Sequence, residues 1–226
     1  MTEQILKNLH EKGWVRLKNF EISPDIQKKL LLENKLDSKV YKENSKLNLS
    51  YLNQTNLGEY LKDLLKEYIT KEHFHEINPD IYNVCRMVSS SDSKESYRAH
   101  FDSHMFTVVS PMQIPYYEDE AFKKGELILF PNIRNEPKNE YINFLQKLFF
   151  KIFANKIGFY FLKFFFDFEV FDFKDNIPIL FLGRRSLHFN MPFKNTGIPR
   201  ITLLTHVYDP SGKSGIGSFL RKVRNR

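Results

Sequence analysis

Ile5, Leu6, Leu9 and His10 recur at helical spacing at the start of the chain, and Gly13-Trp14-Val15-Arg16-Leu17 then switches to alternation. A short helix therefore leads into a strand. Ser23-Pro24-Asp25 has the form of an N-cap followed by Pro at the first helical position, opening a helix over roughly residues 24 to 33. A further amphipathic helix runs from about Leu57 to Tyr68, with Leu61, Leu64, Leu65 and Tyr68 on one side, so the first 75 residues are predicted to be mostly helical. From Ile81 the pattern turns to strands: Tyr82 to Val88, Phe101 to Val109, Gly125 to Phe130, Ile179 to Leu182 and Ile201 to Tyr208, separated by Ser, Pro, Asn and Gly clusters. Short strands behind a helical start predict a mainly β fold with flanking helices. The architecture expected is an antiparallel double-sheet barrel of the jelly-roll, cupin-like kind, with helices packed outside.

Residues 139–175 interrupt that rhythm. Asn143, Lys147, Lys151 and Asn155 recur every four positions, as on one helix face, while Phe and Leu fill the rest, which predicts a helical insertion. More than half of the 22 Phe lie there, interleaved with Lys. Such a segment covers the barrel, forms a homodimer seam, or lies on an anionic membrane as an interfacial amphipathic element. Lys147, Lys151, Lys156, Lys163 and Asp167 break its apolar run, so it lacks the ~20 unbroken apolar residues of a membrane span. No internal repeat is evident, and a length of 226 residues suits a single domain, 1–226, in which 1–75 is helical support.

Composition narrows the partners. The net charge of +7 comes from 34 basic and 27 acidic residues, a moderate excess spread over the chain without a basic and aromatic stripe, so nucleic acid is not an expected partner. Only the tail Arg221-Lys222-Val223-Arg224-Asn225-Arg226 is a basic cluster, and it reads as a solvated terminus. The lone Cys85 excludes an intramolecular disulfide, fits a reducing compartment, and lies in an apolar run that suits a buried, inert thiol. Met1-Thr2-Glu3-Gln4 shows no signal-peptide pattern, so a cytoplasmic location is expected, with membrane association through the insertion.

The chemistry gathers around His100-Phe101-Asp102. On a strand, residues i and i+2 share a face, so His100 and Asp102 point together while Phe101 packs the other way. His188, after the strand-like Ile179-Leu180-Phe181-Leu182, qualifies as a third ligand, while His104 and His206 in β-like stretches remain possible; His10, His73 and His75 lie in or beside the helical front. Two imidazoles and a carboxylate on one face of an octahedral ion leave open positions, as in non-haem Fe(II) oxygenases. Arg200 and Thr202 share a face at the start of a later strand, where a guanidinium and a hydroxyl suit capture of a carboxylate. Arg184 and Arg185 lie close before His188 and compete with Arg200 for that role.

With His100-x-Asp102, His188 and Arg200-x-Thr202 in that order, the chain resembles the Fe(II)- and 2-oxoglutarate-dependent dioxygenase superfamily. It is most similar to the phytanoyl-CoA-dioxygenase branch, through Glu11-Lys12-Gly13-Trp14-Val15-Arg16-Leu17-Lys18-Asn19-Phe20 followed by Ser23-Pro24. Gly125-Glu126-Leu127-Ile128-Leu129-Phe130-Pro131 is similar to a glycine, acid, strand and Phe-Pro segment of prolyl-hydroxylase-like relatives. The resemblance implies a double-stranded β-helix, Fe(II) on His100, Asp102 and His188, and 2-oxoglutarate held by Arg200 and Thr202. O2 would take the remaining position, and the reaction would hydroxylate a small molecule, lipid or saccharide with release of succinate and CO2. Asp102, where halogenating relatives have Ala or Gly, favours hydroxylation. On the strand before the triplet, Asn83 is the favoured additional cosubstrate contact, with Tyr82 and Arg86 beside it and Tyr97, Arg98 and Gln113 flanking.

Three other readings stay open. A cupin-like module would hold a metal without catalysis, and a zinc hydrolase would use the same ligands with water in the fourth position. A peripheral membrane or partner-binding protein would make the Phe-rich insertion its main business.

Overall fold

The computed structural model describes residues 2–35, 41–43, 52, 55–71, 79–88, 95–115, 125–192 and 198–210. The basic tail, His73 and His75 lie outside the described residues. The chain opens with helix α1 (Thr2–Lys12), strand β1 (Trp14–Arg16), helix α2 (Pro24–Lys35), strand β2 (Tyr41–Glu43) and helix α3 (Leu57–Lys71). Gly13 turns α1 into β1 at φ +75°, a conformation that costs glycine little, and Pro131 approaches too closely for a side chain there.

Strands β3 (Ile81–Val88), β4 (Phe106–Gln113) and β5 (Leu127–Phe130) follow. Helices α4 (Glu140–Lys151) and α5 (Lys156–Phe165) interrupt the sequence of strands before β6 (Glu169–Phe171), β7 (Ile179–Leu182), β8 (Leu187–Asn190) and β9 (Arg200–Val207). Six strands form one antiparallel sheet in the order β1-β7-β4-β9-β3-β2, and three form another in the order β6-β5-β8. The two sheets face each other but do not close into the expected barrel. No membrane-spanning helix occurs among the described residues: none is long and apolar enough.

Period-2 alternation builds three apolar layers. Leu6, Leu9, Leu57, Leu61 and Leu64 of α1 and α3 pack under Phe106, Val108, Leu180, Ile201 and Leu203 on the outer face of the large sheet. Leu127, Leu129, Phe171, Ile179 and Phe181 fill the space between the sheets. Ile128, Phe130, Leu187 and Phe189 point the opposite way, where Phe159 and Leu162 of α5 cover them. Cys85 is buried in the helix-covered layer, as its apolar surroundings predict.

Two boundaries differ from the sequence expectation. The stretch from His100 to Met105 is a loop, and the strand expected from Phe101 begins at Phe106. Strand β8, which carries His188, is a separate four-residue strand after a turn at Gly183–Ser186.

Candidate metal centre

His100 and His188 face each other across an isolated antiparallel bridge, each amide donating to the other's carbonyl at 3.1 Å. That pairing sets the ring centroids 4.3 Å apart. Alternation on β8 sends Leu187 and Phe189 to the α5 side, so His188 and Asn190 turn into the cavity. Asp102 is held from behind, its amide donating to the Gly183 carbonyl at 3.0 Å. Its Oδ1 lies 3.7 Å from His100 Nε2 and its Oδ2 lies 3.6 Å from His188 Nε2. One ligand atom of each residue lies within 4.8 Å of the others, within reach of one ion.

The opposite ring nitrogens fix which lone pairs are free. His100 Nδ1 is 2.8 Å from the Arg98 carbonyl and His188 Nδ1 is 3.3 Å from the Ser186 carbonyl. Since a carbonyl only accepts, both Nδ1 atoms carry the proton and both Nε2 lone pairs face Asp102, the arrangement metal-ligating histidines adopt. Burial and the adjacent His188 bring His100 down to about 4, against the opposing pull of Asp102 and the Arg98 carbonyl. The His100 side chain remains 54% exposed, towards the cavity that it lines. Burial lowers His188 as well. Burial alone would raise Asp102, but His188, His206, His100 and the Thr107 hydroxyl outweigh it and hold the carboxyl below the usual range. Two neutral imidazoles and one carboxylate are therefore ready for a cation.

Support for Asp102 comes from Thr107, which the sequence pattern did not single out, and from His206, which it offered as a rival ligand. Thr107 Oγ1 donates to Asp102 Oδ2 at 2.5 Å and sits 3.1 Å from His206 Nδ1. The hydroxyl has one proton and gives it to the carboxylate, so His206 Nδ1–H donates to Thr107 in turn. His206 thus orients Asp102 rather than joining the three-residue cluster. Gly183 lies directly beneath: a Cβ there would sit 2.6 Å from Thr107 Oγ1, 2.8 Å from the His104 carbonyl and 3.0 Å from Asp102 Cβ.

The cavity, about 510 Å³, extends from the triad along β9, whose Arg200, Thr202, Leu204 and His206 all line it. Arg200 is 3% exposed, and its Nε has no hydrogen-bond partner among the described residues. Burial, reinforced by Arg86, pulls Arg200 down, with Glu126 opposing. A guanidinium nevertheless stays charged, so this end of the cavity is set for an anion. Arg184 is not available for that role, because it is ion-paired with Glu136 at 2.5 Å and Glu140 at 2.9 Å. Arg185 reaches Tyr68 instead, its Nη1 donating at 3.4 Å. Arg86 lines the cavity beside Arg200 and pairs with Glu95 at 2.8 Å.

The structure sets Asn83 apart from this group. Tyr82, Val84 and Arg86 face the cavity, so Asn83 turns to the opposite face of β3, where Thr205 Oγ1 donates to its Oδ1 at 2.7 Å. Tyr82 stacks near His104 and His206 in the cavity wall. Arg98 lies at the rim, whereas Gln113 donates to the Pro199 carbonyl and serves the scaffold.

Lys147 completes the cavity from an unexpected direction. It comes from α4, enters the lining, and donates to Ser103 Oγ at 3.2 Å. No carboxylate of the described residues lies within ion-pair distance of it. Burial lowers its pKa to about 8, although Asp102 opposes. Its electrostatic neighbours are Asp102, Arg184, Arg134 and Asp209, whereas those of Arg200 are Arg86 and Glu126, so the two cations occupy different ends. A larger depression, about 680 Å³, lies between α2 and the far end of β4, lined by Gln27, Leu31 and Met112, and no metal-ligating cluster among the described residues lies there.

Solved structures share this architecture. A Pseudomonas putida prolyl-4-hydroxylase is 13% identical, with 92% of this chain and 98% of that one covered and a TM-score of 0.53. The fold is the double-stranded β-helix. A second match to it is the non-haem α-ketoglutarate-dependent epimerase SnoN of nogalamycin biosynthesis, at 11% identity, 92% and 83% coverage and a TM-score of 0.56. A bsmA homologue from Methylobium petroleophilum gives 10% identity, 92% and 93% coverage and a TM-score of 0.57. Neither a protein-family model nor a curated protein matches the sequence. At these identities the likeness speaks for the double-stranded β-helix alone.

Proposed function

We propose that the protein is a non-haem Fe(II)- and 2-oxoglutarate-dependent oxygenase that hydroxylates a small-molecule, lipid or saccharide substrate, with succinate and CO2 as products. One observation carries the reading: a His–Asp–His cluster of two neutral imidazoles and one carboxylate, and a buried arginine whose Nε lacks a hydrogen-bond partner among the described residues, face the same cavity. The donor set fits Fe(II), and the orphaned Arg200 Nε fits the distal carboxylate of the keto acid. When bound, iron and 2-oxoglutarate would supply the activation of O2 that hydroxylation requires.

The chain's own residues do the positioning. His100, Asp102 and His188 would hold the ion, with Thr107 and His206 keeping Asp102 in place. Arg200 would pair with the keto acid's far carboxylate while Thr202, on the same strand face, offers its hydroxyl. Lys147, at the other end, would meet an anionic group on the substrate. Placement in the phytanoyl-CoA-dioxygenase-like branch rests on the segment around β1, which is the edge strand paired with β7. A cupin-like module that merely binds metal gives no role to the buried Arg200, and a zinc hydrolase needs a carboxylate base. Asp102 is the one carboxylate among the described residues lining the cavity.

Succinate release from the iron-loaded protein, surveyed across carboxylic acids, lipids, saccharides and neutral small molecules, tests the reading. At least one class should stimulate release, and His188→Ala should abolish it. A protein that binds Fe(II) but shows no affinity for 2-oxoglutarate and releases no succinate with any class is not this enzyme.

A further inference from the structure

Helix α4 is inside out for a segment on a water-exposed surface. Its polar stripe faces the protein: Asn143 is buried, donates to Glu140 and accepts from Arg134 Nη2 at 2.9 Å. Gln146 accepts from Arg134 Nη1 at 3.0 Å, and Lys147 reaches Ser103. Arg134 in turn lies 3.8 Å over the Phe101 ring, and Arg184 ties Glu136 and Glu140 to the same base. With the polar side used inward, the apolar side turns out. Tyr141, Phe144, Leu145, Leu148, Phe149 and Ile152 of α4 are exposed.

On α5, Ile157 and Phe164 are each 82% exposed, and Tyr160, Phe161 and Phe165 are exposed beside them. Asn139 and Asn155 cap both helices, accepting from Ile142 and Gly158 amides at 2.9 and 2.8 Å, so this is an ordered hairpin rather than a frayed loop. An apolar face of this extent marks an interaction surface.

Charge selects the occupant. Between Tyr141 and Phe166 the sequence has Lys147, Lys151, Lys156 and Lys163 and no Asp or Glu. Lys151, Lys156 and Lys163 are exposed. A second copy docked through this patch about a two-fold axis would bring lysines to lysines, since such a contact apposes the same surface on both subunits. An anionic lipid surface complements both features: aromatic and aliphatic side chains enter the interface while the lysines meet headgroups.

We propose that the α4–α5 hairpin docks the protein on the surface of an anionic lipid bilayer. The inner side of the same hairpin touches the metal loop, through Lys147 at Ser103 and Phe150 against Phe101 at 5.2 Å. Docking therefore sets the cavity rim beside the lipid surface. That a substrate is drawn from the bilayer rests on the oxygenase reading; the docking does not, because it requires no iron.

Sedimentation with phosphatidylglycerol-containing vesicles and with pure phosphatidylcholine vesicles, at low and high salt, tests the proposal using the full chain. The expected result is binding to the anionic vesicles that weakens with salt. It should fall by about one to two orders of magnitude in Lys151→Gln/Lys156→Gln and in Ile157→Ser/Phe164→Ser, whose side chains support no core. Circular dichroism should show both variants folded. Absence of sedimentation with either vesicle overturns the proposal, as does binding that Ile157→Ser/Phe164→Ser leaves unchanged. A dimer in light scattering that dissociates in Ile157→Ser/Phe164→Ser gives the face to a second copy and equally overturns it.

Discussion

Replacing Arg200 by alanine separates a cosubstrate-binding cation from a structural one. The side chain is 3% exposed, its Nε is orphaned, and no carboxylate among the described residues comes within ion-pair distance. The ligand-free protein thus bears a buried charge that Glu126 offsets only from beyond ion-pair distance while Arg86 opposes it, and removing it should not lower thermal stability. With 2-oxoglutarate present, the same change removes one partner of a desolvated, hydrogen-bonded charge pair. That loss costs about 2–5 kcal/mol, which is about 1.5 to 3.5 orders of magnitude in dissociation constant. Arg200→Lys should recover only part of it, since an ammonium cannot reproduce the two-pronged geometry of a guanidinium. Calorimetric titration of the Fe(II)-loaded protein with 2-oxoglutarate under nitrogen measures the effect, alongside melting of the ligand-free forms. Unchanged affinity for 2-oxoglutarate, or a marked loss of stability in the ligand-free variant, would refute the reasoning.

Three further outcomes follow from the geometry. Gly183→Ala should weaken Fe(II) binding by about an order of magnitude or more, measured by competition with a chelator, because its methyl displaces Thr107 and Asp102. Lys147→Met should raise KM for an anionic substrate while leaving kcat and the 2-oxoglutarate affinity near parental values; a weakened 2-oxoglutarate affinity would place Lys147 in the cosubstrate site. Burial lowers Lys147 to about 8, so its ammonium is lost as pH rises through that value. KM for the anionic substrate should therefore climb above about pH 8 in the parent and stay flat in Lys147→Met, as steady-state kinetics across the pH range would show.

Period-2 alternation made most of the cavity readable in the sequence. Arg200 and Thr202 share a face because they stand two apart, and the strand's continuation puts Leu204 and His206 on that same face. The same rule placed Asn83 elsewhere: its phase is that of Cys85, on the helix-covered side, and Arg86 is the polar neighbour in phase with the cavity. Four-residue β8 was invisible because a run of that length, broken from β7 by a turn, leaves too little pattern to separate from its neighbour. In residues 139–175 the helical period was legible, but a period shows only that two faces exist. Which one turns inward was decided by Arg134 and Arg184, which lie outside the segment on either side of it and whose guanidinium groups require polar partners when buried. Gly183 and Thr107 gave no local signal, since their role arises only from contact with Asp102.

The central claim is that His100, Asp102 and His188 hold an iron ion that 2-oxoglutarate chelates. Anaerobic addition of Fe(II) and then 2-oxoglutarate, followed by visible absorption, tests it most directly. One equivalent of Fe(II) should bind, and the keto acid should then produce a weak metal-to-ligand charge-transfer band that is absent in His100→Ala, Asp102→Ala and His188→Ala but present in His104→Ala. A band that survives in His188→Ala, or parental protein that binds iron and never develops the band, would contradict the account.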